Sequence, residues 1–127
     1  MLGSSKAVAF ASVTDLDRAR AFYEGVLGLQ VLSQDVFALM CEAGGVKVRL
    51  SKVPAVVPHP FTVLGFDVED IDAVVEGLTA RGVAFERYPF FGPAQDARGV
   101  WTAPGGALVA WFKDPDGNLL SVQKMAP

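Results

Sequence analysis

Few side chains in this sequence can do chemistry, and each has a structural alternative. Arg49 lies in an alternating segment, Val46 to Lys52, that reads as a strand with Lys47, Arg49 and Ser51 on one side. A buried guanidinium needs a partner, so Arg49 either pairs with a carboxylate such as Asp67 or grips a ligand carboxylate or phosphate through two parallel N–H bonds. Phe90, Phe91, Trp101 and Trp111 fall on a loop and two strand segments of the C-terminal half. They either pack or stack on a planar ligand, and Trp101, beside Gly99 and Thr102 in a polar stretch, is best placed for the second role. His59 sits between Pro58 and Pro60 and suits a solvated connector, while Cys41, in an apolar strand without a basic neighbour, suits a small buried hydrophobe rather than a nucleophile. One His and one Cys mean that any metal site would lean on carboxylates. No nucleophile elbow, phosphate loop or dinucleotide-binding glycine pattern is present.

The elements that must position these groups follow from apolar spacing. Lys6 to Val13 reads as a strand; Thr14 or Asp15 caps a helix whose apolar face is Leu16, Ala19, Phe22, Tyr23 and Val26, ending near Gly28. Three strands follow, Gln30 to Ser33, Val36 to Glu42 and Val46 to Lys52, the last two joined by a Gly44-Gly45 turn. Val53 to Pro60 holds three prolines and predicts a connector. Phe61 to Val68 is a strand, a helix runs from Glu69-Asp70 to Gly82, and Val83 to Arg87, Gly99 to Thr102, Leu108 to Phe112 and Leu119 to Lys124 read as strands, with a turn at Gly105-Gly106. Ser12-Val13-Thr14-Asp15-Leu16-Asp17 matches Asp67-Val68-Glu69-Asp70-Ile71-Asp72 at an offset of 55 positions, and the flanking elements agree in order. The chain is therefore an internal repeat of two β-α-β-β-β modules.

With 127 residues, 51% of them hydrophobic, the chain can bury one sizeable core but not two full domains. A net charge of −3 without a basic run argues against nucleic acid as a partner. The single cysteine excludes an internal disulfide, and no apolar stretch predicts a membrane span or a secretory signal, so the expected location is the cytoplasm. The hydrophobic fraction of so short a chain predicts a homodimer.

The stretches Ser12 to Tyr23, Val26-Leu27-Gly28-Leu29 and Trp111-Phe112-Lys113-Asp114-Pro115-Asp116-Gly117-Asn118-Leu119-Leu120 resemble the glyoxalase, bleomycin-resistance and extradiol-dioxygenase superfamily, the vicinal oxygen chelate fold. The resemblance covers essentially the whole chain and implies one α+β domain, with module 1 at about 5–52, a connector at 53–60 and module 2 at about 61–125. It further implies a curved eight-stranded mixed sheet around a cup, with helices outside. Catalytic members hold a divalent metal in that cup, on ligands that correspond here to Val8, Arg49, Val63 and Ser121. Two hydrocarbons, a cation and a hydroxyl make no metal site, so the resemblance implies loss of the metal-dependent chemistries.

Strand periodicity assigns to the cup side Val8, Phe10 and Ser12; Lys47, Arg49 and Ser51; Val63, Gly65 and Asp67; and Leu119, Ser121 and Gln123. Ala9, Ala11, Val48, Leu50, Leu64, Phe66, Leu120 and Val122 are assigned to the core. The expectation is a binding protein rather than an enzyme, taking a small organic molecule on Phe10, Arg49, Phe91, Trp101, Trp111 and Ser121, with no cofactor, no metal and no catalytic residue. The alternative is a lyase, isomerase or dioxygenase whose metal sits on other ligands, such as Glu42, Asp67 or His59. A third reading is an interaction module.

Overall fold

The computed structural model describes residues 1–127 and separates into two compact units, Met1–Pro58 with Pro115–Gly117, and His59–Asp114 with Asn118–Pro127. Each unit is built as β-α-β-β-β, and no helix is long and apolar enough to cross a membrane.

In the first unit β1 (Val8–Val13) leads into α1 (Leu16–Arg20), which continues as a π-helical stretch, Ala21–Val26. Asp15 is the N-cap, its carboxylate accepting from Arg18 N at 3.0 Å. Strands β2 (Gln30–Gln34), β3 (Ala38–Ala43) and β4 (Val46–Lys52) complete a mixed sheet of order β1-β4-β3-β2, with β1 parallel to β4. The β3–β4 turn needs positive φ at both centres, which Gly44 (φ 55°) and Gly45 (φ 82°) supply. Ala11, Val13, Leu39, Cys41, Val48 and Leu50 are buried with Leu16, Ala19 and Tyr23 of the helical segment, so one face of the sheet is core.

The second unit repeats the plan with β5 (Thr62–Asp67), α2 (Ile71–Ala80), β6 (Trp101–Thr102), β7 (Leu108–Lys113) and β8 (Leu119–Lys124), in the order β5-β8-β7-β6. Asp70 caps α2 by accepting from Ala73 N at 3.0 Å. Ile71, Val75 and Leu78 of α2 are buried, as are Ala110, Phe112, Leu120 and Val122 of the sheet.

One expectation changes. Val83 to Arg87 is not a strand: only Phe85 bridges to Phe112, after which the chain leaves the sheet edge and forms a short 3-10 segment, Pro89–Ala94. Pro89 offers no N–H to a ladder, and the pairing edge of β7 is taken further along by β6. The pairing of β5 with β8 slips between Thr62 and Leu64, so that Thr62 stands opposite Leu119.

Candidate functional site

The core takes one face of each sheet, and the chemically capable residues lie on the other. In the second unit, register pairs Gly65 with Ser121, Asp67 with Gln123, Trp111 with Ser121, Val109 with Gln123 and Trp101 with Val109. Paired residues share a face, so Trp101, Trp111, Ser121, Gln123, Gly65 and Asp67 stand together. Three of the expected ligand-binding residues, Trp101, Trp111 and Ser121, thus converge, and the 3-10 segment adds the fourth. The Phe91 ring lies 4.4 Å from Trp101 and 5.6 Å from Trp111, within 17° of parallel to each. Tyr88 meets Phe91 and Trp111 edge-on, at 5.8 and 5.5 Å.

Polar groups border this platform. Trp111 Nε1–H donates to Thr62 Oγ1 at 3.1 Å, which fixes the indole. The Trp101 N–H has no partner within the chain, and because every buried polar side-chain atom is satisfied, it is open to solvent. Beside Trp111, Ser121 Oγ–H donates to Gln123 Oε1 at 2.7 Å, and Gln123 Nε2–H donates to Asp67 Oδ1 at 2.8 Å. Gly65 makes room for that chain: a Cβ there would stand 2.9 Å from Ser121 Oγ and 3.0 Å from Gln123 Nε2. Burial, and secondarily the charge of Glu86, push the Tyr88 phenol up from its ordinary pKa, so it stays a neutral donor. The sequence did not single out Tyr88, Thr62 or Gln95. Tyr88 closes a stretch whose alternation imitates a strand, and the partnership of Thr62 with Trp111 spans 49 positions.

In the first unit the remaining two expected residues are register partners, Phe10 opposite Arg49, flanked by Val8–Lys47 and Ser12–Ser51. Phe10 is 63% exposed. Arg49 is half-buried, and its side chain takes part in no ion pair or hydrogen bond. Its charge is felt by Asp35, whose carboxyl is held low by the N–H groups of Phe37 and Ala38 against slight desolvation, with Arg49 adding to the effect. Asp67, the carboxylate considered as a partner for Arg49, is engaged by Gln123.

A divalent metal does not fit the residues at the positions assigned to it. Val8 and Val63 have no donor atom, Arg49 brings a positive charge, and the Ser121 hydroxyl is buried and committed to Gln123. Glu42 neighbours Lys47 and Asp67 is bonded to Gln123, while His59 stacks on Phe61 at 5.2 Å. The structure gathers no three His, Cys, Asp or Glu side chains in a metal-holding group. Cys41 is buried, and burial, with Glu24 adding to it against Arg20, raises its thiol pKa, which opposes a nucleophilic role. On the helix side of the second unit a cleft of about 620 Å³ is lined by Val75, Ala80, Phe85, Arg87 and Arg98. Arg98 is paired with Asp72 and Asp96, and Arg87 donates to the Asp96 carbonyl.

Solved structures share this fold. A glyoxalase family protein from Enterococcus faecalis is 19% identical, with a TM-score of 0.75 over 97% of this chain and 99% of its own. A genomically encoded fosfomycin resistance protein, FosX, from Listeria monocytogenes is 14% identical, with a TM-score of 0.75 over 97% and 94%. A protein of the mobile metagenome of V. pseudocholerae reaches 25% identity and a TM-score of 0.69 over 100% and 98%. No curated protein matches the sequence. The family model for the Glyoxalase/Bleomycin resistance protein/Dioxygenase superfamily matches residues 7–122, nearly the whole chain, and the chain therefore belongs to that superfamily.

Proposed function

We propose that this protein binds a small, flat organic molecule without a metal ion and without turnover. The observation that carries the reading is the pair of indoles of the second unit, Trp101 and Trp111, on which the Phe91 ring already stacks, with a free indole N–H beside them, in a superfamily member whose residues at the positions that the resemblance assigns to metal ligands are Val8, Arg49, Val63 and Ser121. Stacked rings supply non-directional affinity, and the Trp101 N–H and Tyr88 O–H supply donors that orient an acceptor. On the first unit the Arg49 side chain, unpaired beside the exposed Phe10, is a separate candidate for an anionic group. The partner class is a small molecule, and neither nucleic acid nor a membrane belongs to the proposal.

Calorimetric titration of chelator-treated protein with 2-naphthol and 2-naphthoate tests it. Saturable binding that survives chelation is expected, and Trp101→Ala should weaken both probes about tenfold, the loss of roughly 1 to 1.5 kcal/mol of ring stacking. Elemental analysis of protein purified without chelator is the counter-test: one divalent metal retained per chain, with binding lost on its removal, would overturn the proposal in favour of a metal-dependent lyase, isomerase or dioxygenase with other ligands.

A further inference from the structure

Phe91 belongs to a segment whose attachment differs from that of the two tryptophans beneath it. Trp101 and Trp111 sit on paired strands. Pro89–Ala94 makes no hydrogen bond to the rest of the chain except at its own ends, where Phe91 N–H donates to Tyr88 O at 2.9 Å and Gln95 N–H to Gly92 O at 3.3 Å. Two of its six residues are prolines without an N–H, and Gly92, at φ 57° and ψ −136°, breaks it with a conformation that a side chain would resist. Phe90, next to Phe91, is 79% exposed.

The two ends, by contrast, are pinned. Gln95, only 4% exposed, accepts from Tyr88 N–H at 2.8 Å through its side-chain oxygen. Its Nε2–H₂ donates to Glu86 O at 2.9 Å and to Gly99 O at 3.1 Å. One buried amide therefore holds the chain before the segment, the chain after it and the approach to β6 in fixed positions. What lies between is held to the platform by the Phe91 ring.

We propose that Pro89–Ala94 is an aromatic lid, and that Phe91 occupies the ring position on Trp101 until a planar ligand displaces it. The proposal rests on the binding function above and adds to it the device that admits the ligand, whose flat ring takes the place of the phenyl group. A near-parallel ring at 4.4 Å is the geometry an aromatic ligand would adopt on Trp101, and Phe91 already adopts it. Displacement costs the lid its stacking and no hydrogen bond to the rest of the chain, while Gln95 keeps the hinges in place. Apparent affinity is then reduced by the fraction of molecules with the lid closed.

Phe91→Ala tests this in the full chain, with 2-naphthol as the probe. The substitution removes the competing ring, so binding should tighten about five- to tenfold, and Phe91→Leu, which keeps bulk but not a flat ring, should tighten it less. The protein's two tryptophans are Trp101 and Trp111, so tryptophan emission, excited at the red edge where tyrosine does not absorb, reads this platform alone. In probe-free Phe91→Ala, acrylamide quenching of that emission should rise. If Phe91→Ala instead weakens 2-naphthol binding or leaves it unchanged, while Trp101→Ala weakens it about tenfold as above, Phe91 is a wall of the site and the lid is overturned with the binding function intact. Absence of 2-naphthol binding in both the parent and Phe91→Ala overturns the binding function, and the lid with it.

Discussion

The Asp116 carboxylate accepts from Thr14 N–H at 3.1 Å, from Thr14 Oγ1–H at 2.6 Å and from Arg18 Nη2–H at 2.9 Å, and its side chain is 6% exposed. It thereby satisfies a backbone donor at the entrance to α1, next to the residue that caps the helix. Asp116→Ala leaves that N–H and the Thr14 hydroxyl without their acceptor, and hydrogen bonds to a charged group contribute about 1.5 to 3 kcal/mol. The exposed Arg18 arm adds little. Urea unfolding should show a loss of about 2 to 3 kcal/mol, and roughly half of that for Asp116→Asn, whose amide can still receive one proton and offer another. A loss below 0.5 kcal/mol, about the effect of an ordinary surface change, would show that the cluster is ornamental. The sequence offers Thr14 or Asp15 as a cap and puts Asp116 in the stretch that carries the family resemblance, but does not show the bond between Asp116 and Thr14. Those residues are 102 positions apart, and nothing local in either marks the other.

At the scale of elements, the parts set by local periodicity are legible and the parts set by tertiary pairing are not. β4 and β8 fall where alternation puts them, Val46–Lys52 and Leu119–Lys124, and Asp70 caps α2 as the repeat implies. The face assignment of Phe10, Arg49, Ser121 and Gln123 follows from the period of two. Val83 to Arg87 alternates in the same way yet pairs only at Phe85, because the decisive contacts of this region come from Gln95 and Asp96 further along. Asp96 closes its own loop: Oδ1 accepts from Arg98 N–H at 2.9 Å and Val100 N–H at 3.0 Å, and Oδ2 accepts from Arg98 Nη2–H at 2.9 Å. Arg98 in turn reaches Asp72 of α2 at 2.6 Å. Partial burial would raise the Asp96 pKa, but the Arg98 side-chain bond and the two backbone N–H bonds outweigh it and hold the carboxyl below its ordinary 3.8. The native state therefore binds this proton less readily than the unfolded chain, so the stabilisation is present above about pH 4 and is lost as the pH falls through 3.8 and below. In urea unfolding, Asp96→Asn should be less stable than the parent at pH 7, and the gap should shrink at pH 3. A gap of equal size at both values would assign the effect to loop geometry and not to charge.

At the scale of the molecule, the balance of surface hydrophobicity and charge decides assembly. Val36 and Phe37, in the β2–β3 turn, are 75% and 69% exposed, and Val46 and Leu32 also stand open to solvent. Complete burial of such side chains contributes roughly 1.5 to 3 kcal/mol each, so Val36 and Phe37 from each of two copies, four side chains in all, can offset an association cost of about 4 to 15 kcal/mol only when they are covered at once. A second copy of the chain supplies such a surface at equal concentration, and a net charge of −3 opposes the approach only weakly at physiological salt. The expected outcome is a homodimer, with sedimentation equilibrium at micromolar concentration giving twice the 13.5 kDa chain mass. Introducing charge at the turn, as Val36→Asp with Phe37→Asp, should return the mass to one chain without loss of circular-dichroism signal, because neither residue is in the core. A parent that sediments as a single chain would instead leave these side chains as an uncovered surface. A dimer indifferent to the double substitution would place the interface elsewhere on the protein.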